Sequence, residues 1–210
     1  FMYHPFNSIF PSRELLALSS MTQVGEAIYR ELMEERHPIF CHPYLADIKA
    51  RLRTKLVQMQ CEIESHDPRF PFEFTQREFH FKQIIPELSN KKVILHVARS
   101  KSPDELPPAS KYKVGLSYNN HALQRQMVFD FDETPPYVDE PYYAILAFGG
   151  RHQTFSVVQF PEPGYHGIAK LLTLPQIRLT EDSESSKTFE RKKAALKKEF
   201  LSHDVEEVIS

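Results

Sequence analysis

The chain predicts an α+β protein: an N-terminal helical hairpin packed on a mostly antiparallel β-sheet, with a C-terminal helix on a flexible linker. Three observations lead there. Apolar residues recur every three or four positions from Leu15 to Leu32 and again from Leu45 to Ile63, the period of one helical face. From Phe70 onward the period falls to two, and glycine and proline clusters divide the chain into short apolar runs, which is the pattern of strands and turns. Past Thr188 a helical pattern rich in lysine, glutamate and alanine returns. The corresponding divisions are a helical part at 1–66, a sheet core at 67–179 forming one domain with those helices, a linker at 180–187 and an amphipathic helix at 188–210.

Each element has its own signal. Leu15, Leu18, Met21, Val24, Ile28 and Leu32 line one face of residues 12–36, as one interrupted helix or two consecutive ones, with Ser20 or Thr22 able to cap a restart. Pro38 closes it. A second helix starts near Pro43, a residue tolerated in a first turn. It carries Leu45, Ile48, Leu52, Leu56, Met59 and Ile63 on one stripe, and HPIFCH joins the two helices.

Asp67-Pro68 and Pro71 end the helical period. Phe70, Phe72 and Phe74, then Phe79 and Phe81, alternate with polar residues as one or two half-buried strands before Ile84-Ile85-Pro86. KVILHVA at 92–98 reads as an inner strand, with Ile94 and His96 on the face opposite Val93, Leu95 and Val97. Residues 99–111 combine three prolines with charge, a surface loop that marks an insertion. Short strands are expected at 112–118 and at 127–131, and 168–174 reads as a last strand in preference to a pair of helical turns, with turns at Asn119-Asn120 and in PEPGYHG. The sheet then has five to seven strands between residues 70 and 175.

At its centre stands YYAILAFGGRHQTFSVVQF, residues 142–160. The first run is apolar on both parities, as suits a strand covered on both faces. Gly149-Gly150 supplies positive φ for a tight turn, and Pro161 ends the returning strand. The register stays open. A three-residue loop sets Ile145 against Phe155 and Tyr143 against Val157, whereas a two- or four-residue loop puts Leu146 and Ala144 on the face shared with them.

The 210 residues suffice for a sizeable core, and 26 basic against 28 acidic side chains leave a formal charge of −2. No global field recruits nucleic acid or an anionic membrane, so any such role rests on local patches. Two cysteines, Cys41 and Cys61, are too few for a disulfide framework and suit a reducing, cytoplasmic setting. No apolar run reaches the roughly 18 residues of a membrane helix. Phe1 ahead of Met2 implies an added leading residue or a start inside a longer product.

Four groups of residues bear on chemistry. VFDFDET at 128–134 resembles the first motif of haloacid-dehalogenase-type phosphatases. That resemblance implies attack on phosphorus by Asp130, proton handling by Asp132 and a magnesium ion beside them. Pro135-Pro136 and the hairpin that follows depart from the family's strand–helix continuation, which favours a strand running into an acidic turn. His37, Cys41, His42, Cys61 and His66 are of zinc-ligand type, but about 18 helical residues set Cys41 and Cys61 roughly 27 Å apart. Arg151-His152 and Tyr165-His166 lie at opposite ends of one strand, about 23 Å apart. Basic helix faces complete the set: Lys49, Arg51, Arg53 and Lys55, and then Lys192, Lys193 and Lys197.

The leading expectation is a non-catalytic binding or regulatory module, without metal or cofactor, that meets a protein or nucleic-acid partner. Its binding residues are the basic helix faces together with Arg151 and His152. The C-terminal helix, with Phe189, Leu196 and Phe200 on one side, is expected to dock on a partner or on another copy of the chain. The alternative is a metal-dependent phosphodiesterase or phosphatase-like enzyme in which Asp130, Asp132 and Glu133 hold a divalent ion, with His96 as a candidate companion.

Overall fold

The computed structural model describes residues 9–34, 46–79, 83–126, 140–150, 154–176 and 184–206. It divides into two compact units, Phe1–Leu18 with Phe70–Pro175 and Ser19–Arg69 with Gln176–Ser210. The first is the sheet unit and the second the helical unit. The helices and a six-stranded, mostly antiparallel sheet make this an α+β protein.

The helical unit holds most of α1 (Ser12–Glu34), all of α2 (Ala46–Ser65) and α5 (Glu184–Glu206). α1 is continuous. Thr22, a candidate for capping a restart, instead turns its hydroxyl back to the Ser19 carbonyl at 2.9 Å, a bond that helix interiors tolerate. Val24, Ile28, Leu56, Phe189 and Leu196 form the core, with Leu32, Leu52, Met59, Ile63 and Phe200 packed against it. Gly25 lets α1 and α2 approach closely, because a β-carbon there would stand 2.8 Å from the Val57 Cα. α5 opens at Glu184, inside the stretch read as linker. An acidic first turn suits the positive end of a helix, so a composition that resembles a tether also starts a helix. The expected helix start at Pro43 and the strand at 127–131 lie outside the described residues.

The sheet unit contains β1 (Glu73–Phe79), β2 (Gln83–Ser89), β3 (Val93–Ser100), β4 (Tyr142–Gly149), β5 (Phe155–Pro161) and β6 (Ile168–Thr173), in that spatial order. All neighbours pair antiparallel except β3 and β4, which are parallel. A parallel pair needs a crossover, and that requirement corrects the reading of 112–118. The segment is α3 (Lys111–Ser117), followed by a 3-10 turn (Tyr118–Asn120) and α4 (His121–Gln126). Tyr112, Val114 and Leu116 mimic strand alternation, but the Ser110 side chain accepts from the Lys113 amide and caps a helix. β2 also includes Ile84-Ile85-Pro86, the segment before which the half-buried strands are expected to lie. Pro86 stands opposite Gln76 of β1, whereas β3 pairs with β2 only from Glu87 onward.

All eight residues of β4 are buried, as expected of the central strand. The hairpin loop is five residues long, setting Ala147 against Val157 and Gly149 against Phe155. This is neither numbered pairing, although the odd-numbered residues do share a face with Phe155 and Val157. Gly149 is obligatory, since a β-carbon would sit 2.2 Å from the Ser100 carbonyl oxygen on β3. One sheet face buries Tyr143, Ile145, Ala147, Val157 and Tyr165, with Leu106, Val114 and Leu116 of the crossover packed on them. The other gathers Phe10, Phe72, Tyr142 and Phe160 in edge-on or tilted contact. The loop read as an insertion is stitched down. Its carbonyls at Pro103, Glu105, Pro107 and Pro108 accept from Gln159, Ser100, Tyr165 and Lys113 side chains.

Candidate functional site

The sheet's pleat assembles one polar stripe under the crossover. Glu87 on β2 stands directly opposite His96 on β3. Arg77 and Tyr143 pair with Ile85 and Ile94, each two residues along from those partners, and a period of two keeps all four on one face. Tyr112, in the first turn of α3, reaches the same place from above.

The contacts converge on the Glu87 carboxylate. Oε1 accepts from Arg77 Nη2 at 3.1 Å and from Nε at 3.3 Å. Oε2 accepts from the Tyr112 hydroxyl at 2.7 Å and meets His96 Nε2 at 3.1 Å. An ionised carboxylate only accepts, so His96 donates through Nε2. In the neutral ring Nδ1 then accepts from the Tyr143 hydroxyl, 3.1 Å away. The His96 ring lies tilted against Tyr112 and edge-on to Tyr143, at 5.5 and 5.3 Å between centroids, and the Arg77 guanidinium lies 5.9 Å from the Tyr112 ring centre.

Burial sets what this chain can do. Glu87 is 3% exposed, His96 2% and Tyr143 0%. The hydrogen bond from His96 outweighs burial and, with those from Tyr112 and Arg77, holds the Glu87 carboxyl down at about 2. Burial and the bond to Glu87 push the Tyr112 phenol up to about 12, and burial raises Tyr143. A carboxylate–imidazole–phenol chain has the composition of a proton relay. Here its members face one another, and Tyr112 is the group through which it clasps α3 to the sheet.

The basic residues singled out in the sequence fall in several settings. Arg53 is buried and donates to Glu26 from Nε at 2.6 Å and from Nη2 at 2.5 Å, with Tyr29 against its guanidinium. Lys49 is half-buried, and Arg51 and Lys55 are exposed on α2. On α5, Lys192 pairs with Glu64 at 2.5 Å and bonds the Ser20 hydroxyl at 3.1 Å. Lys193 pairs with Glu31 and Glu190, and Lys197 with Glu31 at 2.6 Å. Burial alone would raise Glu31, yet these two lysines hold it below the usual carboxylate range. Arg151, His152, Asp130, Asp132, Glu133, His37, Cys41 and His42 lie outside the described residues. Cys61 is a buried free thiol bonded to the Val57 carbonyl, and His66 is exposed. Among the described residues no three histidine, cysteine or acidic side chains gather around a point that suits a metal.

Reading the sequence missed Arg77, Glu87 and Tyr112. A signal exists: single ionisable residues, Glu87 and His96, stand within two successive strands, IIPELS and VILHVA, and ionisable groups at such positions are seldom buried unless paired.

Fold and site together define an α+β protein with a buried acid–imidazole–phenol clasp. Compared with protein-family models, curated proteins and solved structures, the chain matches none. Among the described residues no helix is long and apolar enough to cross a membrane.

Proposed function

We propose that the chain is a binding or regulatory module that works through contacts with a macromolecular partner, in a reducing, cytoplasmic setting. One observation carries the reading: the acid–base groups gathered in the sheet unit are satisfied by one another and fasten the crossover to the sheet. Their geometry supports a scaffolding role, which leaves recognition to exposed charge. The buried, free Cys61 thiol suits the same setting.

A thermal-shift screen against divalent metals, nucleotides, oligonucleotides and acidic polymers tests this reading. Stabilisation by a polymer that needs no divalent ion and weakens with salt is the expected result. Stabilisation that requires magnesium, manganese or zinc, together with phosphate-ester hydrolysis lost in Asp130→Asn and Asp132→Asn, would replace it with the enzyme reading. Native mass across a concentration series checks for self-association. Deleting α5 is a poor test of that, because Phe189 and Leu196 belong to the helical unit's own core.

A further inference from the structure

α5 sorts its cations onto two sides. Between Lys187 and Lys198 it carries six lysines and arginines against one acid, Glu190. Lys192, Lys193 and Lys197 face α1 and α2 and are neutralised by Glu64 and Glu31. Lys187, Arg191 and Lys198 are exposed, and among the described residues no ion pair engages them. At 3.6 residues per turn these three fall within about 40° of one another around the helix, spaced about 6 and 10 Å along its axis. They form a straight basic row roughly 16 Å long. Ala194 lies in the same strip and Ala195 beside it, both exposed.

We infer that this outer row of α5 binds the phosphodiester backbone of a nucleic acid. The inference rests on the binding-module reading and names its partner's chemistry. A nucleic-acid strand repeats a full negative charge about every 3.4 Å of duplex axis, so a rigid line of cations meets phosphates in any register. Arg191 adds a fork suited to bidentate phosphate contact. The alanines let a backbone approach to within reach of the longer side chains around them. Between Lys187 and Lys198 the strip carries cations and alanines, with Glu184 three residues ahead of it, and it lacks the large apolar anchor from which protein interfaces draw most of their energy. Three phosphate contacts predict sequence-independent binding that fades as salt rises.

Fluorescence anisotropy of a labelled DNA duplex with the full chain, in KCl between about 50 and 200 mM, tests the row. The expected log–log slope for three phosphates is about −2.7. The triple variant Lys187→Gln, Arg191→Gln, Lys198→Gln is expected to bind at least about tenfold more weakly at the low-salt end, with a flattened slope and an unchanged melting temperature. Lys193→Gln should lower the melting temperature and keep the slope. A triple variant that binds DNA like the parent overturns the inference, as does a parent that fails to bind DNA at low salt. A parent that binds a labelled polyglutamate tracer more tightly than DNA also overturns it, yet leaves the binding-module reading in place with an acidic protein as partner.

Discussion

Glu87 in the sheet unit and Glu31 in the helical unit each gather cationic or hydrogen-bonding donors, and both are held below the usual carboxylate range. Their surroundings differ. Glu87 is enclosed and its partners are the Tyr112 phenol, the His96 imidazole and the Arg77 guanidinium, whereas the Glu31 side chain is 29% exposed and meets two lysines. An enclosed carboxylate cannot exchange a lost donor for water, so removing it leaves partners stranded. An exposed one can, and salt screens what remains. The same nominal chemistry is a clasp in one unit and an adjustable surface feature in the other.

The sharpest way to break this contrast is Glu87→Ala, which strands His96 and Tyr112 under the crossover. It is expected to destabilise the sheet unit by about 3 kcal/mol, read by chemical denaturation with a probe in that unit. Tyr112→Phe deletes one charge-assisted hydrogen bond and keeps the ring, for an expected loss of about 1.5–2 kcal/mol. Lys193→Gln is expected to lower the helical unit's stability by less than about 1 kcal/mol, and the difference from the parent should shrink in high salt. Equal losses at Glu87 and Lys193 would erase the distinction.

Titration sharpens it further. Because the Glu87 carboxyl is held at about 2 in the folded chain, against an ordinary value near 4.5, its stabilisation is complete above the ordinary value. It is lost as pH falls from there toward 2. The Glu87→Gln variant should lack that part of the acid transition, which urea midpoints measured across the acid range would reveal.

How much of this could be read beforehand depends on where the information lies. The central strand was legible because residues 142–149 are apolar on both parities, and only a strand covered on both faces has use for that. The helix stripes were legible because their period is local. The crossover helix was not: Tyr112, Val114 and Leu116 show the alternation of a strand, and the deciding constraint, a parallel β3–β4 pair, is nonlocal. The clasp failed to appear for the same reason, since Arg77, Glu87, His96, Tyr112 and Tyr143 come from five separate elements. The basic faces were visible as residues, but which cations turn inward depends on where Glu31 and Glu64 stand.

The most direct test of the clasp is amide hydrogen exchange at α3, residues 111–117, in the parent and in Glu87→Gln near neutral pH. If Glu87 holds the crossover to the sheet, exchange at α3 accelerates by at least about tenfold in the variant, equivalent to about 1.4 kcal/mol of opening free energy, while α2 and α5 keep their protection. Unchanged protection at α3, or an equal loss in α5, would contradict it.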